Sequence, residues 1–461
     1  MKKFSALILV LIISFSCLTS CGDKNERKPG VTITLNVYNW GEYISDGADD
    51  SYDTNREFEK YFNETLSAKY GGIKVKVNYT TFPTNEDMYS KLASGSGSYD
   101  VIFPSDYMIE RLISEGMLQP LNWNGLKSES NFSTIDPEYL GNPYDPNDIY
   151  SIAYTYGRTG IIYNTTMVDE EDIGSWDLLW NEKYKGQILQ FNNPRDAFGS
   201  AMYWKNIDIN SEDEEDWNAA LELLKEQKPL LQGYVNDEIF DKMTGGSAAI
   251  APYFAGDFVN MLFTMYEDDD PENDDDLAFY YPKEGGNVFV DAMCIPTSSK
   301  NPDIAMEYIN FMLSPDAALA NAVYLGYASP SLYVHNRYGE DVPAPAVYKP
   351  EYEEYNEMYV SEIDDDYILD ILYGTIGNGN YSYDPYYHNF TPDIQRHVNS
   401  LWEKLKIYGS AELWVHITSG VLVGSILIFA IYSVIIKKKR SRFYRIRDKE
   451  LKRLKRSKAK Q

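Results

Sequence analysis

Several stretches of this 461-residue chain set acids or polar side chains beside aromatic rings. They are Trp40, Gly41, Glu42 and Tyr43; Ser105, Asp106 and Tyr107; Tyr253-Phe254-Ala255-Gly256-Asp257; and Phe289-Val290-Asp291. A fifth group, Asn192-Asn193-Pro194-Arg195-Asp196, is polar without a ring. Carboxylates pair with ammonium groups, and aromatic faces attract cations and cover methylene stems, so the combination suits an elongated cation. The same residues also fit a plainer reading, core rings beside solvated acids, because the chain holds 40 Tyr and 70 acids. An enzyme is the weaker alternative. A hydrolase would need acids such as Glu42 and Asp291 at a defined separation, and no nucleophile elbow, Gly-rich phosphate loop or metal-ligand set accompanies them. The three cysteines, Cys17, Cys21 and Cys294, do not make a disulfide scaffold, and the four histidines form no zinc spacing. The acidic runs Glu212 to Asp216 and Glu267 to Asp276 lack the EF-hand pattern and read as solvated loops. Seventy acids against 42 bases give a net charge of −28, which argues against nucleic acid and for a cationic partner.

The elements that would position these residues alternate between two periods. Val31, Ile33, Leu35 and Val37 alternate as a strand ending at Tyr38-Asn39-Trp40, and Phe58, Phe62 and Leu66 then recur at helical spacing until Gly71-Gly72. Ile73, Val75, Val77 and Tyr79 form a second strand, Glu86 to Leu92 a short helix, and Tyr99 to Phe103 a third strand; a helix follows to about Gly116. The same grammar returns at Ile188 to Phe191, Ala248 to Pro252 and Val288 to Ile295. Repeats of this kind predict right-handed crossovers, parallel sheets and two α/β lobes. In such sheets ligands bind beyond the carboxyl ends of the strands, where the acid and aromatic groups fall.

Both ends of the chain read as membrane signals. Lys2-Lys3, an apolar run from Phe4 to Phe15 and Leu18-Thr19-Ser20-Cys21 make a signal peptide over 1–20, and its last four residues resemble the bacterial lipobox, in which Cys21 is lipidated. Residues 21–30 read as a linker. Leu413 to Ile436 is apolar enough for one transmembrane helix, and the tail 437–461 carries 14 basic and 2 acidic residues, which predicts a cytoplasmic tail and an external body.

The order and spacing of several strings resemble the spermidine/putrescine-binding proteins of bacterial polyamine ABC transporters, over about Asn36 to Lys406. These strings are Tyr38-Asn39-Trp40-Gly41-Glu42-Tyr43, Asn85-Glu86-Asp87-Met88-Tyr89, Tyr99-Asp100-Val101-Ile102-Phe103-Pro104-Ser105, Asp145-Pro146-Asn147, Ser175-Trp176, Tyr184-Lys185-Gly186 and Tyr281-Pro282-Lys283-Glu284-Gly285-Gly286. The resemblance implies a two-lobed, periplasmic-binding-protein-like (type II) fold that closes on a polyamine and delivers it to a permease and its ATPase, with no cofactor and no chemistry of its own. It implies lobe 1 at 31–148 with a return segment at 288–334, lobe 2 at 149–287 with a return segment at 335–408, and hinge crossings near Ile149 and Asn287.

Carried over residue by residue, the resemblance makes Trp40, Gly41, Glu42 and Tyr43 the first ligand motif, with Glu42 a partner for one amine. Ser105 and Tyr107 would be a second contact, Phe254 and Phe289 walls over the methylenes, Asp291 the central carboxylate and Tyr327 a further ring. Asn193 and Asp196 fall where relatives that prefer spermidine tend to have two acids, so that end should hold an ammonium more weakly unless Asp106 restores the charge or the ligand is a shorter diamine. Related binding proteins for ferric iron, thiamine or sugar share the fold, and Tyr280-Tyr281 and Tyr386-Tyr387 would suit iron. A membrane-anchored sensor is the other alternative.

Overall fold

The computed structural model describes residues 27–48, 51–267, 277–334, 366–373 and 385–409, with short stretches between 421 and 438. The expected signal peptide with Cys21 and nearly all of the basic tail lie outside the described residues, as does much of the expected span at 413–436. Among the described residues no helix is long and apolar enough to cross a membrane. The chain divides into two compact units, Met1–His397 and Val398–Gln461.

The first unit alternates strands and helices: β1 (Thr32–Trp40), α1 (Thr54–Tyr61), β2 (Lys74–Phe82), α2 (Asn85–Ala93), β3 (Val101–Ile102), α3 (Asp106–Ser114) and β4 (Leu118–Gln119). It continues through β5 (Ser151–Asn164), β6 (Ile188–Phe191), α4 (Pro194–Trp204), α5 (Glu214–Gln227), β7 (Leu231–Val235), α6 (Ile239–Thr244), β8 (Ile250–Phe254) and α7 (Ala255–Glu267). Then follow β9 (Leu277–Tyr280), β10 (Val288–Pro296), α8 (Pro302–Met312), α9 (Pro315–Leu325) and α10 (Asp366–Tyr373). A last helix, α11 (Pro392–Ile407), runs past the boundary between the units.

The strands join in the order β2-β1-β3-β10-β5-β8-β6-β7. β1 pairs in parallel with β2 and β3, and β6 with β7 and β8, as the βαβ pattern requires. The expectation of wholly parallel sheets fails at β5 and β10, which run antiparallel to each other and to their neighbours. The reason is topological: the chain leaves the β1–β3 layer on β5 and returns on β10, so the two strands point in opposite directions. Both are buried along almost their whole length. β5 pairs with β10 from Ser151 to Arg158 and with β8 from Thr159 to Tyr163, so it changes partner at Arg158/Thr159.

Each half has its own apolar core. In the first, Phe58 and Phe62 stand one helical turn apart, and the Phe58 ring meets Tyr308 edge-on at 5.0 Å. Burying a side chain of this size contributes roughly 2 to 3 kcal/mol. The expected helix through Leu66 is present, but it widens into a π turn at Phe62–Leu66, tightens at Ser67–Tyr70 and stops at the left-handed Gly71 (φ 76°). In the second half, Trp217 is fully buried between Phe198 and Phe390, with ring centroids 5.8 and 5.0 Å away.

Candidate functional site

A partly open cleft lies where the two sets of strands end. The carboxyl ends of β1, β2 and β3 contribute Trp40, Phe82 and the residues after them, and the ends of β6, β7 and β8 contribute Phe191, Val235 and Phe254. Parallel strands point their ends the same way, so each half offers one row of loops, and the rows face each other across β5 and β10.

Six carboxylates line this cleft, those of Glu86, Asp106, Asp196, Asp237, Asp257 and Asp291. Four of them, Glu86, Asp106, Asp196 and Asp257, occupy the first turn of the helix that follows a strand. The positive ends of those helices would repel a cation, and an acid in the first turn offsets that field.

Asp291 lies on β10 two residues from Phe289, so the two side chains share a face. It is 4% exposed. Tyr43 donates its hydroxyl to Asp291 Oδ2 at 2.7 Å and lies 2.5 Å from Thr155 Oγ1 on the adjacent β5, while Asp291 Oδ1 is buried without a partner among the described residues. Burial raises the Asp291 pKa to about 6, against the neighbouring Ser105 and Tyr43 side chains, which lower it. Burial likewise raises Asp257 to about 7; the Tyr327 hydroxyl, donating at 2.8 Å, opposes the rise and the Asp237 charge adds to it. Asp196 rises to about 6, again mainly through burial, while Asn193 and Tyr387 donate to it and hold it down.

The walls are aromatic. Phe254 meets Phe289 edge-on at 5.3 Å and Phe191 at 5.4 Å, and Tyr327 stands 5.3 Å from Tyr43 and 6.4 Å from Phe289. Two glycines make this packing possible. A β-carbon at Gly256 would overlap the Tyr327 ring, and one at Gly157 the Phe289 ring. Gly41 has a similar role across the cleft, because a β-carbon there would lie 2.8 Å from Asp237 Oδ2.

Of the residues expected from sequence, Trp40, Gly41, Tyr43, Ser105, Tyr107, Asn193, Asp196, Phe254, Phe289, Asp291 and Tyr327 all line this one cleft. Glu42 does not. Its backbone takes the left-handed region (φ 46°), its side chain is exposed, and partial burial and the charges of Asp237 and Asp46 raise its pKa. Asp106 lines the cleft, but its two oxygens accept the backbone N–H groups of Tyr107 and Val290 at 2.7 and 3.3 Å, so it pins α3 to β10. Asn193 caps α4, accepting from Asp196 N at 2.9 Å while its own amide donates to Asp196 Oδ2. Ser105 stands at the cap position of α3 without a side-chain cap bond, and Asn85 donates to both Ser105 Oγ and the Tyr107 hydroxyl. Tyr281 donates to Ile371 O and Tyr280 to Ser175 O, and neither tyrosine lines the cleft.

A family model described as bacterial extracellular solute-binding protein matches residues 57–346, over half of the chain. The chain belongs to that family. Its members bind solutes outside the cytoplasm and are not enzymes. The chain is 32% identical to the spermidine/putrescine-binding periplasmic protein of Escherichia coli over 72% of its own length and 86% of that protein. It is 30% identical to the putrescine-binding periplasmic protein of the same organism, over 64% of this chain and 77% of the relative. A solved putative spermidine/putrescine ABC transporter from Listeria monocytogenes superposes with a TM-score of 0.66 at 30% identity, covering 81% of this chain and 99% of that one.

Several lining residues of this binding protein are not among the ligand contacts expected from sequence. Asp237 follows β7, a five-residue strand whose Leu-Gln-Gly-Tyr-Val string has no clean alternation. Glu86 follows the end of β2, in the first turn of α2. Asp257 lies three residues beyond Phe254, in the first turn of α7, the position that holds acids elsewhere in the cleft. Tyr387 comes from a distant segment, and the sequence marks it only as half of the Tyr386-Tyr387 pair that would suit iron. Arg195 is 3% exposed, packed at 3.3 Å on the Phe390 ring and 4.4 Å from the Tyr107 ring, an internal cation that the charge count hides.

Proposed function

We propose that this chain captures a polyamine of the spermidine/putrescine class between two closing lobes and delivers it to an ABC permease with its ATPase. The observation that carries this reading is Asp291, a carboxylate in an aromatic box of Tyr43, Phe289 and Tyr327 with one oxygen left for a ligand N–H. Six acids against one guanidinium suit a multiply charged amine, and the rings cover its methylene stems. The names of the two Escherichia coli relatives point the same way.

In this reading Trp40, Gly41, Tyr43, Ser105, Tyr107 and Tyr327 act from lobe 1 (31–148 and 288–334), together with Phe289 and Asp291. Asn193, Asp196 and Phe254 act from lobe 2 (149–287 and 335–408). The antiparallel pair β5 and β10 is the only strand connection between the two layers among the described residues and serves as the hinge. Cys21 carries a lipid, the segment 413–436 spans the membrane and the basic tail lies in the cytoplasm, which keeps the binding body beside its permease.

The test is titration calorimetry on the full-length chain with putrescine, spermidine, spermine and lysine. One-to-one saturable binding of a polyamine, without turnover and clearly weakened in Asp291→Asn, is the expected result. A folded chain that binds none of the amines would sink the reading.

A further inference from the structure

The cleft walls hold buried polar atoms of two kinds with no hydrogen-bond partner among the described residues. Asp291 Oδ1 and Asn287 Oδ1 are acceptors. The donors are Trp40 Nε1, whose ring packs on Phe82, and two nitrogens of Arg195, Nε and Nη1. Only Nη2 of Arg195 is engaged, donating to the His388 carbonyl at 2.7 Å. The guanidinium is held in place by the rings of Phe390, Tyr107 and Tyr387, at 3.3, 4.4 and 5.3 Å. Buried N–H groups of a cation are costly until an acceptor reaches them.

The neighbouring acids do not supply that acceptor. The oxygens of Asp196 take the Asn193 amide and the Tyr387 hydroxyl, at 2.8 and 3.2 Å. Glu86 Oε1 takes the Tyr107 hydroxyl at 3.1 Å, and Asp106 takes two backbone N–H groups. An ammonium arriving at this end would meet a fixed positive charge and the carboxylates of Asp196, Glu86 and Asp106, whose oxygens already accept hydrogen bonds from the protein. An oxygen acceptor would meet two free donors on one planar group.

Resting on the polyamine reading above, we infer that the Asn193–Asp196 end of the cleft takes a neutral carbonyl oxygen, so that the ligand is a polyamine acylated at one end. Its free amines face Asp291 and Asp257, and its amide carbonyl accepts from Arg195 Nε and Nη1. A carboxylate could use the same donors, but six acids make the cleft negative, and that field disfavours an anion and leaves a neutral amide acceptable. Arg195 is therefore a specificity residue for the far end of the ligand.

The experiment is titration calorimetry on the full-length chain with spermidine, its two monoacetylated isomers, putrescine and 4-aminobutyrate. One acetylspermidine is expected to bind at least about tenfold more tightly than spermidine. Arg195→Lys keeps the charge but removes the planar pair of donors, and it should reduce that preference to roughly threefold or less. If spermidine binds more tightly than both acetylated forms, the inference is overturned while the polyamine reading stands. If 4-aminobutyrate binds most tightly, a charged acceptor replaces the neutral one and the inference is likewise lost. Failure of every amine to bind removes both readings together. Should Arg195→Lys not fold, by circular dichroism, the preference of the unaltered chain decides alone.

Discussion

A carboxylate in a wall shielded from water holds an ammonium only when it is ionised, and Asp196, Asp257 and Asp291 stand close to that boundary near neutral pH. Each is raised from the usual aspartate value, mainly by burial, so Asp257 and Asp291, which face the ligand's amines, release a proton when a cation arrives. Polyamine affinity is therefore expected to rise from pH 5 to about pH 7 and then level off. Calorimetry in buffers of different ionisation enthalpy would show the proton release; a flat affinity over that range would refute it. The sign for stability is opposite. A raised aspartate pKa favours the ligand-free fold at low pH, and that advantage is lost as pH rises from about 4 through about 7. Asp257→Asn should raise the melting temperature of the ligand-free protein at pH 8 more than at pH 5.

Glu42 and Asp291 make a second contrast among single residues. Losing a charge-assisted bond in a buried site costs about 1.5 to 3 kcal/mol, so Asp291→Asn should weaken binding by roughly 10- to 150-fold. Glu42→Gln should change affinity by about threefold or less, because its exposed side chain lies outside the cleft lining. Equal losses in the two variants would restore Glu42 to the site.

Among elements, β10 and the turns into α4 and α7 do most of the positioning. β10 places Phe289 against Gly157 and Asp291 against Thr155 of β5, so a ring and an acid stand side by side over a glycine and a hydroxyl. Gly256, at the start of α7, leaves room for the Tyr327 ring. Gly256→Ala forces that ring out of place, with an expected loss of about 1 to 3 kcal/mol in stability and weaker binding. Denaturant titration with and without polyamine would separate the two effects, and an unchanged midpoint would mean that the ring moves at no cost. At Asn193 one side chain caps α4 and holds Asp196, so Asn193→Ala should cost about 1 kcal/mol of stability even without ligand.

On the scale of the whole molecule, a net charge of −28 and an acid-lined cleft should draw in a multiply charged cation. Stopped-flow association of a polyamine is expected to slow as salt rises from about 0.01 to 0.15 M, since the screening length shrinks from roughly 30 to 8 Å. An association rate that ignores salt would leave the charge with a role in solubility alone.

Period-2 and period-3.6 patterns made β1, β2, β3, β6, β8 and β10 legible, because alternation and turn residues are local properties. Tyr43 and Tyr107 could be named as site residues because they follow strand ends, which converge in an α/β sheet, whereas Phe289 and Asp291 lie on β10 itself and were named through the family resemblance. The sequence also settled the excess of acid and the absence of clustered cysteines and histidines. Other features depended on contacts between distant segments. The antiparallel β5 and β10 arise from the chain crossing out and back, and the continuous burial of β5 erases the alternation that would mark it as a strand. The burial that lifts Asp257, the placement of Glu42 outside the cleft, the use of Asn193 as a cap and the two unpaired donors of Arg195 each depend on which side chains meet in space. Desolvation and hydrogen-bond pairing are properties of that assembly, and no window of sequence contains them.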